Sequence, residues 1–174
     1  MLKVLLIRLV TSTFRSSEGI VGLYNIDPED VGIICRFTPT LQDLTQSRLF
    51  RYDEESGQII RHDSSGRGLI AGPNEPGILC AKILERRKFN GYYKAKEKTQ
   101  EKILDNLIEL DDQWFNTGDA FSYDDQYRLR FLDRTGDTYR WKGENTSTEE
   151  VTNILSNCSS VVEACVYGYV MIKI

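Results

Sequence analysis

The run WFNTGD, from Trp114 to Asp119, sets a Thr-Gly pair directly before a carboxylate. A glycine lets the backbone come close to a ligand, and a carboxylate accepts paired hydrogen bonds from a vicinal diol such as that of ribose. The letters NTGD are equally the composition of an ordinary turn. Fifteen residues on, Arg134 stands in DRTGD, where a guanidinium suits the same sugar, a phosphate or a plain surface turn. WKGEN then puts Gly143 in a tight loop ahead of a helix start, which also reads as a simple strand-to-helix turn. Other chemistries have less support. The single histidine, His62 in RHDSSGRG, reads as a surface-loop residue and leaves no two-histidine zinc site or histidine-based triad. Cys35, Cys80, Cys158 and Cys165 form no CxxC pair and read as buried, reduced thiols.

These residues need a scaffold. The apolar run Leu2 to Val10 is interrupted at Lys3 and Arg8 and is too short to span a bilayer, so it reads as a buried strand. TSTFRSSEG follows as a polar loop, and VGIICRF as a second strand. SRLFRYD, GQIIRHD, GILCAKIL and RLRFLDR, spaced by DEESG, SSGRG and GPNEPG, predict a small β-barrel or curved sheet. One helix is expected at AKEKTQEKILDNLIEL, with Ile103, Leu107 and Leu110 as its apolar stripe. After Asp133 the pattern becomes a short strand at TYRWKG, a helix announced by the Ser147–Glu150 capping box, and a strand at VVEACVYGYV. That helix would carry Val151, Ile154, Leu155 and Cys158 on one face, the start of an α/β module whose apolar side needs a partner.

Composition narrows the class. A chain of 174 residues with 40% hydrophobic and 28% charged residues can build a real core, which excludes intrinsic disorder and collagen-like sequence. A net charge of −4 argues against a domain whose main task is to neutralise nucleic-acid phosphates, yet it leaves room for a single nucleotide.

The order of the motifs is more specific than any one of them. FNTGDAFSYDDQYRLRFLDRTGDTYRWKGENTSTEEV resembles the adenylate-forming superfamily, and within it the fatty acid transport protein and very long-chain acyl-CoA synthetase branch. Firefly luciferases and peptide-synthetase adenylation domains share the TGD and the later arginine but not RWKGEN. FNGYY at Phe89 to Tyr93 is similar to the family's glycine-tyrosine segment, EPGILCAKI to its barrel strand, and RSSEG at Arg15 to Gly19 to its A-T-E-G motif. The resemblance covers about residues 14 to 170.

It implies an α+β fold: residues 1–133 as the C-terminal part of the large AMP-binding domain with its β-barrel subdomain, and 134–174 as the start of the small C-terminal α/β domain. By position it implies that Glu18 holds Mg2+ and, with Arg134, takes part in catalysis. It also implies that Ser17 lies near the acyl phosphate, that Asp119 holds the ribose hydroxyls, that Arg134 contacts the nucleotide at the hinge, and that Gly143 lines the CoA path. The implied substrates are ATP, CoA and a long-chain or very long-chain fatty acid. The implied location is intracellular, at endoplasmic reticulum or peroxisomal membranes through segments not in this chain. The competing reading is a non-catalytic remnant that serves as an interaction or lipid-handling module; an unrelated β-rich binding module is the third.

Two departures from the pattern stand out. Gly136 takes the place of the aspartate or lysine that many members carry after the hinge arginine, and neither the family's phosphate-cradling Ser/Thr/Gly loop nor its adenylation lysine is found in the chain. The expectation is therefore a piece of an enzyme. Positioning and electrostatic groups of that kind are typically worth about several kcal/mol each, so the 174-residue chain alone is predicted to form no acyl-CoA from palmitate, ATP and CoA. ATP-dependent turnover by the purified chain would contradict this.

Overall fold

A computed structural model describes residues 12–166, except 28, 29, 31, 87, 136, 137, 142, 143 and 159, with the backbone alone at 138–141, 144, 145, 147 and 149. Its elements in chain order are β1 (Ser12–Arg15), β2 (Gly22–Asn25), β3 (Cys35–Arg36), α1 (Pro39–Thr45), β4 (Ser47–Phe50) and β5 (Gly77–Lys82). There follow α2 (Lys96–Glu101), β6 (Ile103–Asp105), β7 (Gln113–Tyr123), β8 (Arg128–Arg134), β9 (Thr138–Trp141), β10 (Glu144–Ser147) and α3 (Thr148–Ser156). The result is the expected α+β class, built on a curled antiparallel sheet in the order β3-β8-β7-β5-β4, with β6 also paired to β7.

Burial explains why β5 reads GILCAK without alternation. Leu79 and Ala81 point into a cluster with Phe37, Leu49, Phe115 and Phe121, while Ile78 and Cys80 point into a second with Phe50, Leu107 and Trp114. A strand covered on both faces needs apolar residues at every position. The β1–β2 hairpin lies against this sheet through Phe14, whose ring meets Phe121 edge-on at 5.0 Å. Thr38 caps α1 by accepting the Leu41 amide hydrogen at 3.3 Å, and Pro39 fits the first turn, where no amide donor is needed.

Several expectations change. The expected loop at TSTFRSSEG begins as β1, because Ser12–Arg15 finds a ladder partner in β2. GQIIRHD makes only isolated bridges, Tyr52 with Ile59 and Arg61 with Gly68. The expected helix over residues 95–110 stops at Glu101. Beyond it the Asp112 carboxylate accepts the amides of Ile108 and Glu109 at 3.1 and 2.8 Å, and the Asn106 side chain accepts that of Asp111 at 2.7 Å. Side chains thus take the donors that a helix would use. Ile103–Asp105 gains a ladder on β7 instead, so Leu107 is fully buried against Trp114 while Leu110 is left 73% exposed.

Helix α3 begins directly after Ser147, where the capping motif places its start, but Ile154 and Leu155 on its apolar face are exposed. Residues 161–166 of the expected strand VVEACVYGYV form no strand, since nothing in the described residues offers them a ladder and Val162 is fully exposed. The rest of that segment, and the expected strand at Leu2 to Val10, lie outside the described residues. Cys35 and Cys80 are buried as expected, with the Cys35 thiol pushed up to about 12 by burial, whereas Cys158 and Cys165 are exposed. His62 is exposed in its turn. Among the described residues no helix is long and apolar enough to cross a membrane.

Gly77 marks a tight point of the core. A Cβ there would lie 2.9 Å from Ala71 Cβ and 3.0 Å from Leu49 Cβ. Gly77→Ala should therefore cost about 1–3 kcal/mol by overpacking, read as a lower denaturant midpoint with an unchanged slope.

Candidate functional site

The NTGD segment is not a turn. It lies inside β7, the longest strand among the described residues, at a bulge. Ile78 pairs with Ala120 and Cys80 with Asn116, so Thr117, Gly118 and Asp119 all oppose Leu79 alone. Each letter of the motif has a task in that irregularity. The Asn116 side chain accepts the Gly118 amide hydrogen at 2.8 Å. Thr117 Oγ1 donates to the Leu79 carbonyl at 2.8 Å and accepts the Asp119 amide hydrogen at 3.1 Å, replacing ladder bonds that the bulge removes. Gly118 takes φ 79°, a region that L side chains rarely adopt.

The other edge of β7 is interrupted at the same place. β6 pairs residues 113–115 and β8 pairs 119–123, leaving a gap between them. Lys102 Nζ donates to the Thr117 carbonyl at 3.3 Å, and the Thr135 amide and hydroxyl both donate to that of Gly118 at 2.8 Å. The gap is closed by side chains and loop backbone rather than by a strand.

Asp119 and Arg134 are direct cross-strand partners, and Arg134 Nε donates to Asp119 Oδ1 at 2.9 Å. Asp119 is buried while the arginine side chain is largely exposed. Burial raises the Asp119 carboxyl above its ordinary value; the Arg134 hydrogen bond and charge and the Lys102 charge oppose that rise, and the Glu18 charge adds to it. Burying the ionised carboxylate opposes folding, and the Arg134 bond and charge with the Lys102 charge offset part of that cost.

Ser17 and Glu18 reach the same place from the β1–β2 turn. Ser16 Oγ accepts the amides of Ile20 and Val21, both at 3.2 Å, and Gly19 at φ 74° closes the turn. Ser17 Oγ donates to Glu18 Oε2 at 3.2 Å, and the Tyr92 phenol donates to Glu18 Oε1 at 2.5 Å. Partial burial works to raise the Glu18 carboxyl, but the bonds from Tyr92, its own amide and Ser17, with the Lys102 charge, hold it below the ordinary carboxylate value. Burial first, then the bond to Glu18 and its charge, push Tyr92 up to about 12, so it remains a donor.

Ser17, Glu18, Asp119 and Arg134 all line one cleft of about 320 Å³, with Phe14 and Phe131 as apolar walls. Arg134 also lines a larger cleft of about 910 Å³ with Lys102, Asn116 and Thr135. Four of the five residues named from sequence are thus brought together; Gly143, like Gly136, lies outside the described residues. Sequence reasoning missed Tyr92 and Lys102. The FNGYY segment, with a glycine before paired tyrosines, is the signal that could have found Tyr92. Nothing sets Lys102 apart in a run of surface lysines.

No family model matches the chain. Among curated proteins it is similar to human long-chain fatty acid transport protein 3, 38% identical over 159 residues, 91% of this chain and 23% of that protein. It is 35% identical to human long-chain fatty acid transport protein 5, over 91% of this chain and 23% of that one. The medium/long-chain fatty-acid–CoA ligase FadD6 of Mycobacterium tuberculosis is 40% identical over 119 residues, 67% of this chain and 19% of the ligase. The chain spans about a quarter or less of the length of these relatives. Among solved structures, O-succinylbenzoate coenzyme A synthetase from Bacillus subtilis, in complex with AMP, is similar in fold, with TM-score 0.59 and 21% identity over 92% of this chain and 28% of that one. The amide bond synthetase McbA from Marinactinospora thermotolerans gives TM-score 0.54 and 20% identity over 90% of this chain and 28% of the synthetase.

The state of Asp119 has a measurable consequence. A raised carboxyl gives stability that is full below its unfolded value of 3.8 and is lost as pH rises through the raised folded value. Asp119→Asn, which cannot ionise, should therefore gain on the wild type as pH rises from about 4 towards neutral. Denaturant midpoints of both proteins across that range test it, and a difference independent of pH would contradict the burial argument.

Proposed function

Because the chain belongs to the fatty acid transport protein and very long-chain acyl-CoA synthetase branch of the adenylate-forming superfamily, we propose that it carries part of the nucleotide site of an ATP-dependent long-chain or very long-chain fatty acyl-CoA ligase. The observation that carries this reading is the convergence of Ser17, Glu18, Asp119 and Arg134, from two distant stretches of sequence, on one cleft. In the proposed division, residues 1–133 belong to the large domain and 134–174 to the small one, with Arg134 ending β8 at the hinge between them.

Asp119 accepts hydrogen bonds from the ribose hydroxyls, and Arg134, held by Asp119 at its Nε, brings a largely exposed guanidinium to the nucleotide. Ser17 lies near the acyl phosphate, and Gly143 on the CoA path. The fatty carboxylate attacks the α-phosphorus of ATP and releases pyrophosphate; the CoA thiol then attacks the acyl carbon and releases AMP. The donor set fits magnesium: Glu18 is a hard oxygen ligand kept ionised, and magnesium is commonly held by one or two carboxylates with substrate phosphates and water. Among the described residues no three acidic, histidine or cysteine side chains gather to hold an ion by themselves, so Glu18 would share it with the phosphates. When bound, the ion offsets phosphate charge and polarises the reacting group. The proposed location is intracellular, at endoplasmic reticulum or peroxisomal membranes.

The test is ATP binding by the full-length protein. Asp119→Ala should cost about 1.5–3 kcal/mol, the range for hydrogen bonds to a charged group, or about a 10- to 150-fold weaker Kd. Arg134→Ala should reduce turnover more than binding, as expected of a group at a moving hinge. Normal melting with unchanged ATP affinity in Asp119→Ala would remove the ribose assignment and favour a non-catalytic interaction or lipid-handling module.

A further inference from the structure

We infer that Tyr92 is a positioning residue for Glu18, a role that rests on the reading of Glu18 as the residue that meets the magnesium ion. Glu18 sits on a four-residue turn between two short strands, and a glutamate has three side-chain torsions to fix. Within its own turn the carboxylate is bonded by the Ser17 hydroxyl and by its own amide, and both move with it. Tyr92 lies 74 residues away and reaches the other oxygen from a separately anchored segment. With Tyr92 on one oxygen and Ser17 on the other the carboxylate plane is set, and a carboxylate has further acceptor positions for a cation.

The segment that delivers Tyr92 is built for that placement. Phe89 anchors it in the core against Phe115, with ring centroids 4.8 Å apart, and meets the Tyr92 ring edge-on at 5.4 Å. Gly91 takes φ 78°, and a Cβ on it would lie 2.8 Å from the Thr99 side chain. That approach lets Thr99 Oγ1 accept the Tyr92 amide hydrogen at 2.9 Å while it donates to the Ala95 carbonyl at 2.8 Å in the first turn of α2. The adjacent Tyr93 has none of this support and is 88% exposed, over Lys94. Of two tyrosines side by side, the fold fixes one and aims it at Glu18. A partner that orients a metal-binding carboxylate typically changes metal affinity about 10- to 100-fold when removed.

The experiment uses the full-length protein. ATP binding is measured by calorimetry in EDTA and then as Mg2+ is added, beside a thermal melt of each sample. Tyr92→Phe keeps the ring against Phe89 and loses only the hydroxyl. It should bind ATP normally in EDTA and melt normally, but need about 10- to 100-fold more Mg2+ to reach the tighter Mg2+-dependent binding. Glu18→Gln should lose that Mg2+ dependence. Should Tyr92→Phe destabilise the fold, Thr99→Val, which removes the acceptor for the Tyr92 amide but leaves the phenol present, should shift the Mg2+ requirement in the same direction. Wild-type Mg2+ affinity in Tyr92→Phe, with the dependence lost in Glu18→Gln, would overturn the role of Tyr92 and leave the Glu18 reading standing. Equal weakening in EDTA and in Mg2+ would overturn it too. Retained Mg2+ dependence in Glu18→Gln would overturn the reading of Glu18 and the inference with it.

Discussion

The bulge in β7 governs how the cleft is made. A central strand must satisfy its backbone on both edges, yet Asp119 has to leave the regular ladder to face the cleft. Three residues, Thr117 to Asp119, are fitted opposite Leu79, and each lost ladder bond has a substitute: the Asn116 amide oxygen, the Thr117 hydroxyl, the Lys102 ammonium and Thr135. Much of the remaining architecture holds that irregular stretch in place. β5 packs against one edge with both faces buried, while β6 and β8 share the other edge and leave the gap that Lys102 spans.

Electrostatics in the cleft are balanced rather than neutralised. Asp119 is raised by burial in spite of Arg134, while Glu18 is lowered in spite of partial burial, because three hydrogen bonds reach it. Two carboxylates in one cleft are thereby pushed in opposite directions by their surroundings. One group is shielded and paired with a guanidinium, and the other is kept ionised by its hydrogen bonds.

The scaffold also explains how distant motifs meet. The β1–β2 hairpin supplies Ser17 and Glu18, and it is held on the sheet by the Phe14–Phe121 contact rather than by ladder bonds to β7. The 89–101 segment is anchored on the same face through Phe89 and Phe115. Packing on one core cluster, through Ile20, Val21, Leu23 and the Phe14 and Phe89 rings, therefore fixes the relative placement of Glu18, Tyr92 and Asp119.

Much of this was legible in the sequence because it depends on local rules. Unbroken GILCAK, the run RLRFLDR and the Ser147 start of α3 follow from burial and capping, and the order of TGD, DRTGD and RWKGEN points to the family. The same local rules suggested a turn at NTGD and a helix through Leu110, and both were settled by partners outside the segment itself: Leu79 for the bulge, and β7 with the Trp114 pocket for Ile103–Asp105 and Leu107. VVEACVYGYV has the alternation of a strand, but its described part has no neighbour to pair with, and alternation alone makes no hydrogen bonds. The sequence determined which residue types were available for the cleft. Only the tertiary structure decided that Tyr92 rather than Tyr93 meets Glu18 and that Asp119 meets Arg134, because those contacts depend on the close approach at Gly91 and on strand register.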